Sequence, residues 1–181
     1  FREPSFDPAK VQRTIRIAGI DTHTILLAPA LMARLAKQAP GIDIRFENYG
    51  PDLIERVETG RLDLAFATAN TPLPPGARSE SYAHDKLVLV LRKNHPMAKK
   101  KWAIEDYGKV SHVGISILGD AGSELDAQLA KVGVHRRMAL VTPHFIAALA
   151  AVSGTDMAST LSRVFATRFA DQFGLVMKEP P

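Results

Sequence analysis

The sequence predicts an α/β protein built from two small units in series, and three observations support this. Strand-like apolar segments alternate with amphipathic helix-like segments along most of the 181 residues. Between residues 15 and 67 the order is strand, helix, strand, helix, strand, which favours right-handed crossovers onto a mostly parallel sheet. A proline-rich segment at residues 71–76 closes this set, and a second alternation begins at Lys86.

Composition excludes several protein classes. A hydrophobic content of 46% is enough for a buried core, while no apolar run approaches the roughly 20 residues that cross a bilayer. We therefore expect no membrane partner, and residues 1–4 do not resemble a signal peptide. The absence of cysteine excludes disulfides and fits a reducing, cytoplasmic location. A net charge of +4 is too mild for a self-sufficient DNA-binding domain.

The first strand and helix are the best-defined part of the pattern. Residues 15–20 are mostly apolar, as in a strand covered on both faces, and residues 21–24 are polar groups able to accept hydrogen bonds at a helix N-terminus. The helix then continues through Leu31 and Leu35 to the stop at residues 40–41. A strand that ends at a polar helix N-terminus offers a site for a small anion or polar ligand. The alternative is that these residues only cap the helix.

The remaining elements follow from the same periodicities. We predict strands at residues 42–47, 62–67, 86–91, 110–117, 137–142, 156–160 and 175–177, and helices between Asp52 and Gly60 and at 120–131, 144–152 and 161–169. Residues 1–12 form an extended lead-in. The first unit lacks a closing strand, which residues 175–177 could supply.

Catalytic and metal-binding motifs are missing from the sequence. There is no Gly-x-Ser-x-Gly, Walker loop or His-Glu-x-x-His, and the six histidines do not have metal-ligand spacing. We therefore expect no enzyme activity, no cofactor and no metal. Three lysines at residues 99–101 are interpreted as solvated surface.

Small polar residues recur just after the predicted strands. In parallel sheets these positions lie at the same edge, where open α/β sheets bind ligands, and two such units would face each other across a cleft. Hydroxyl, imidazole and helix N–H groups there would hold a small carboxylate or a hydroxylated aromatic, with an aromatic ring as an apolar wall. The alternative is that each residue is a helix cap. The candidate ligand-binding residues are Asp21, Thr22, His23, Thr68, Ser116, Thr142, His144 and Phe145.

Six short segments recur along the chain in a characteristic order and spacing: RTIRIA (13–18), LAPAL (27–31), APGI (39–42), GRLDLA (60–65), NHPMA (94–98) and SHV (111–113). Together they resemble the effector-binding domain of LysR-type transcriptional regulators. The resemblance spans nearly the whole chain and is nearest to bacterial nodulation and aromatic-degradation regulators.

This resemblance implies a type II periplasmic-binding-protein fold with two Rossmann-like subdomains and a ligand cleft between them. The crossing strands would lie near residues 85–86 and 160–161, and the inducer would meet the candidate residues named above. The subdomains would comprise residues 13–84 plus 162–181 and residues 85–161, with residues 1–12 leading in from a DNA-binding part that the chain does not contain.

The resemblance also implies that the domain forms homodimers and homotetramers, with DNA bound only through an N-terminal helix-turn-helix that is missing here. One departure is Leu-Ser-Arg at residues 161–163, where the family usually has Leu-Pro-Arg, and the chain also stops before the family's final helix.

The function predicted from the sequence is therefore inducer sensing within a LysR-type transcription factor. One alternative is an extracytoplasmic solute-binding protein of a transporter, which shares the fold class. Another is an enzyme on the same scaffold, although Asp21 and His23 are the nearest approach to a catalytic pair.

Overall fold

The computed structural model describes residues 7–68, 71–73, 75–119 and 123–181. Contacts divide the chain into a first unit that ends at Ser81 and a second unit that begins at Tyr82. Among the described residues, none of the helices combines the length and the apolar character that crossing a membrane requires.

The first unit is a parallel three-stranded sheet with two helices. Its order is β2-β1-β3, and Ile17 of the central strand is paired with Phe46 and Leu64. This confirms the predicted parallel sheet, although β3 is shorter than the predicted strand at residues 62–67. The elements are β1 (Arg13–Gly19), α1 (Asp21–Gln38), β2 (Ile42–Asn48), α2 (Leu53–Glu58) and β3 (Leu64–Ala65).

The core of the first unit lies between the sheet and α2. Ala18, Leu53 and Leu62 are buried there, with Tyr49 and Val57 packed against them. The chain leaves α2 through Gly60, whose φ of +70° is the left-handed conformation expected for a glycine after a helix.

The second unit contains two small sheets. The strands β5 and β6 are parallel, whereas β7-β4-β8 form an antiparallel sheet. The elements are β4 (Leu87–Arg92), a 3₁₀ helix (Ile104–Lys109), β5 (Ser111–Ile115), α3 (Glu124–Lys131), β6 (Arg137–Thr142), α4 (Phe145–Ser153), β7 (Ser159–Ser162), α5 (Arg163–Phe169) and β8 (Leu175–Lys178). The helix predicted from Asp120 begins here at Glu124, and residues 120–122 lie outside the described residues, as does the lead-in before Asp7.

The placement of the last strand corrects the sequence interpretation. The sequence analysis noted that residues 175–177 could close the sheet of the first unit, but β8 pairs antiparallel with β4, where Leu91 is opposite Val176. The turn before β8 explains this, because Gly174 has a φ of +62° and its carbonyl accepts the N–H of Lys93 at 2.9 Å. Residues 162–181, which the family resemblance assigns to the first subdomain, cluster by contacts with the second unit.

The second unit has its own core. A cluster of six buried side chains joins β4 to the 3₁₀ helix, α3 and the start of β7: Leu89, Leu91, Trp102, Tyr107, Leu129 and Ala158. The three lysines at residues 99–101 are exposed, as predicted. One of them, Lys100, donates to the fully buried carboxylate of Asp106 at 2.6 Å.

Candidate functional site

The first group of candidate residues lies in the first turn of α1, directly after β1. The helix already begins at Asp21, and Ile20 occupies the N-cap position without a capping side chain. Thr22 is 6% exposed and is therefore a buried residue. His23 takes part in capping, because its Nδ1 accepts the N–H of Ile20 at 3.1 Å.

His23 is held against an aromatic ring that the sequence analysis missed. Its imidazole stacks on Phe66, with ring centroids 4.1 Å apart and an interplanar angle of 13°. Desolvation lowers the pKa of His23 below 6.5, against a smaller opposing effect of the Asp21 carboxylate, so the ring is neutral at pH 7. The available signal was an aromatic residue near the end of the predicted strand at residues 62–67, two positions before Thr68.

Thr68 lies beyond β3 in the same unit. It is exposed, and its Oγ1 is 3.1 Å from Oγ1 of Thr71. Asp21, Thr22, His23 and Thr68 thus follow the carboxyl ends of the parallel strands β1 and β3. Together they offer a carboxylate, two hydroxyls and a neutral imidazole, which can form hydrogen bonds to a polar ligand.

The second group lies at or just beyond the carboxyl ends of β5 and β6 in the second unit, where Thr142 is the last residue of β6. Ser116 follows β5, and its N–H donates to the carbonyl of Thr142 at 3.2 Å. The Oγ1 of Thr142 accepts the N–H of His144, also at 3.2 Å, and His144 is the N-cap of α4. Phe145 follows and meets Phe165 edge to face, with centroids 5.6 Å apart.

Four of the predicted residues thus lie near the carboxyl ends of parallel strands in each unit, and in the second unit hydrogen bonds join Ser116, Thr142 and His144. The groups offered are hydrogen-bond donors and acceptors beside aromatic rings, which is chemistry suited to binding. In the described part of the chain no cluster of His, Asp and Glu could hold a metal ion.

Comparison with known proteins identifies the family. A family model described as the LysR substrate binding domain matches residues 8–181. The transcriptional activator NagR of Ralstonia sp is 35% identical over 98% of this chain, which spans 59% of that protein. Nodulation protein D 2 of Sinorhizobium fredii is 25% identical over 97% of this chain and 56% of that protein. The structure of a probable transcriptional regulator from Pseudomonas aeruginosa is 30% identical, with a TM-score of 0.86 over 97% of this chain and 60% of that chain.

These findings confirm both the resemblance stated above, including its nodulation branch, and the predicted fold class, a type II periplasmic-binding-protein-like α/β fold. The curated relatives include transcriptional activators and regulators, in agreement with the expectation that the chain is not an enzyme. The chain belongs to the LysR substrate binding domain family.

Proposed function

We propose that this chain is the effector-binding regulatory domain of a longer LysR-type transcription factor. It binds a small organic effector, an acid or an aromatic compound, between its two units. The complete protein contacts DNA through a helix-turn-helix outside this chain, forms dimers and tetramers through this domain, and works in the cytoplasm. The match to NagR supports this proposal, because the chain spans 59% of a transcriptional activator.

The observation that carries the proposal is the position of the candidate residues. In each unit they lie at or just after the carboxyl ends of two parallel strands, where open α/β sheets bind ligands. Buried Thr22 and partly buried His23 offer hydrogen-bonding groups in one unit, and His144 with Phe145 offers an imidazole and an aromatic wall in the other. Such groups suit a ligand with an apolar ring and one or two oxygens.

The regulatory step follows from linkage. An effector that binds one arrangement of the units more tightly shifts the population towards it, by no more than its difference in affinity. The dimer passes this change to the DNA-binding parts.

A thermal-shift screen of the chain against small carboxylates, phenols and hydroxylated aromatics tests the proposal. A ligand at a hundredfold its Kd adds about 2.7 kcal/mol of stability, which raises the melting temperature measurably. Sedimentation velocity of the same samples tests oligomerisation. A hit that is chemically converted during the assay would instead indicate an enzyme.

Calorimetry on two variants then tests the site. Thr22→Ala and His144→Ala each remove one hydrogen-bonding group, so each should weaken binding about tenfold. Thr14→Ala and His135→Ala are the matched controls, because Thr14 lies at the opposite end of β1 and His135 is exposed before β6. Unchanged affinity in both site variants would refute this placement.

A further inference from the structure

We propose that a lysine face on the second unit contacts the phosphate backbone of DNA. This face consists of Lys100, Lys101, Lys109 and Lys178. The inference rests on the proposed function, because it requires that another part of the complete protein holds this domain near DNA. The family resemblance implied a helix-turn-helix as the sole DNA contact, and the lysine face adds a second contact that strengthens binding without reading the base sequence.

A buried carboxylate joins two of these lysines. Oδ1 of Asp106, which is fully buried, accepts from Nζ of Lys100 at 2.6 Å and from Nζ of Lys109 at 2.9 Å. The sum of these two distances, 5.5 Å, is the most that can separate the two ammonium nitrogens. Each ammonium group has three N–H groups and uses one of them on Asp106, and neither has another acceptor in the described part of the chain. The remaining N–H groups of this close pair are therefore available to phosphate oxygens.

The other two lysines lie beside this pair. Nζ of Lys178, at the end of β8, donates to the backbone carbonyl of Lys100 at 2.9 Å. Lys101 and Lys178 line one surface cavity together with Glu179. The carboxylate of Glu179 is paired with Arg163. Among the described residues, Lys101 and Lys178 thus have no carboxylate partner, and their charges add to those of the first pair.

The positive charge of the chain is concentrated on this face. Its four lysines are opposed by the buried Asp106 and by the exposed Glu105, whose charge acts on Lys109. This leaves an excess of two positive charges, which is half of the net charge of +4 on the whole chain. A net charge too mild for a self-sufficient DNA-binding domain is thus sufficient for an auxiliary contact, because a domain already held near DNA has a high effective concentration there.

The type of side chain favours the DNA backbone over a small anion or a base. Lysine is a flexible point charge that suits contacts to successive phosphates, whereas bidentate recognition of one anion or of guanine is typical of arginine. Small-molecule sites are concave, but Lys100, Lys101 and Lys109 are all exposed. The lysine face therefore fits an extended polyanion.

The lysine face lies away from the candidate ligand residues of the same sheet. Lys109 comes two positions before β5 begins at Ser111, whereas Ser116 follows the end of this strand. The two positions are at opposite ends of β5. DNA contact and effector binding therefore use different surfaces of the second unit.

Fluorescence anisotropy of a short labelled DNA duplex tests this contact on the chain without an effector. Each phosphate contact contributes about −0.9 to the slope of log K against log salt concentration, so four lysines should give a slope of about −3.6. Lys100→Gln and Lys109→Gln should each weaken binding several-fold and make the slope shallower by about 0.9. Lys100→Arg keeps the charge and should bind as tightly as the wild type. Lys101→Gln should match the other glutamine variants, and it leaves both partners of Asp106 in place if their loss destabilises the second unit.

The matched controls are Lys93→Gln and Lys37→Gln, which remove the same charge outside the lysine face. The side chain of Lys93 is 55% exposed, between the 47% of Lys100 and the 60% of Lys109, but it is paired with Asp171. Lys37 is exposed in the last turn of α1 in the first unit. Both controls should leave the salt slope unchanged. Weakening as large as that in Lys100→Gln would show dependence on net charge alone and would overturn the proposal.

Two further results would also overturn the proposal. A wild-type slope shallower than about −1 would mean that no more than one phosphate is contacted. Tighter binding of poly-glutamate than of the duplex at the same salt concentration would indicate an acidic protein surface as the partner. The effector screen is independent of this titration, so failure to find an effector counts against the proposed function, and failure to bind DNA counts against the lysine face.

Discussion

A buried histidine is the most unusual single residue in the second unit. His112 on β5 is fully buried, and its Nε2–H donates to the carbonyl of Tyr107 at 2.8 Å. Its Nδ1 has no hydrogen-bond partner among the described residues. Desolvation lowers its pKa to about 4, and Arg136 adds to this, whereas the Tyr107 carbonyl and Asp126 oppose it. His112 is therefore neutral in the folded protein at pH 7.

This burial predicts a loss of stability in acid. Between pH 6.5, the unfolded pKa of histidine, and the folded value of about 4, the unfolded chain binds more protons than the folded chain. The contribution of this pKa difference to the free energy of unfolding is about 3 kcal/mol. It is complete above pH 6.5 and is lost as the pH falls towards 4. Urea unfolding at pH 7 and pH 4 should show that His112→Leu loses less stability over this interval than the wild type.

The exposed His84 is the control for this measurement, because His84→Gln also removes one histidine. The variant His84→Gln should lose as much stability between pH 7 and pH 4 as the wild type. If His112→Leu also lost as much stability as the wild type, His112 would not be the source of the acid sensitivity.

At the scale of elements, the N-terminus of α5 explains a departure from the family pattern. Ser162 stands where the family usually has proline, and its Oγ accepts the N–H of Phe165 at 3.1 Å. The same hydroxyl donates to the carboxylate of Asp85. Asp85 in turn accepts the N–H of Val164 at 3.3 Å and that of Lys86 at 2.7 Å. Serine thus caps α5 and joins it to the segment before β4.

Removal of this hydroxyl should destabilise the second unit. Ser162→Ala loses the N-cap and one partner of Asp85, and we expect a cost of about 1 to 2 kcal/mol in the free energy of unfolding. Ser162→Thr keeps a hydroxyl on the same carbon and should cost less. Urea denaturation of both variants and the wild type checks this. If Ser162→Ala were as stable as the wild type, the cap would contribute nothing to stability.

The elements differ in how well the sequence predicted them. The strand at Arg137–Thr142 is observed with the predicted bounds, and α1 ends, as predicted, before residues 40–41. Predicted strand 156–160 is instead Ser159–Ser162, and the 3₁₀ helix was not predicted. That helix depends on Asp106, whose carboxylate accepts from Ala103 N–H and from two lysines, so it could not be inferred from periodicity.

At the scale of the whole molecule, each unit has a hydrophobic core of its own. The first is centred on Ala18, Leu53 and Leu62, and the second includes Trp102, which is 6% exposed. Since this is the single tryptophan of the chain, its fluorescence reports on the second core.

Separate cores predict separate unfolding transitions. Leu53→Ala removes a side chain that is 3% exposed and should destabilise the first unit by about 2 to 5 kcal/mol. The transition seen by circular dichroism should then begin at lower urea, while the transition seen by Trp102 fluorescence stays in place. Leu129, in the second unit, is equally buried. Leu129→Ala should therefore move the transition seen by Trp102 fluorescence to lower urea and leave the unfolding of the first unit unchanged. A shift of both signals in both variants would show one cooperative transition instead.

The sequence by itself determined the fold class, the order of most helices and strands, and the placement of the eight candidate residues after strands. These features follow from local periodicity and from short polar segments, both of which are visible along the chain. Whether those eight residues bind a ligand stays a prediction.

Tertiary structure decided the features that depend on residues far apart in sequence. It placed β8 beside β4, stacked Phe66 on His23 across the gap left by Gly19, and buried His112 against Tyr107. Strand pairing depends on how a turn returns the chain, and the ionisation of a histidine depends on which groups remove its water. Both are properties of packing between distant segments, so hydrophobic periodicity along the chain does not encode them.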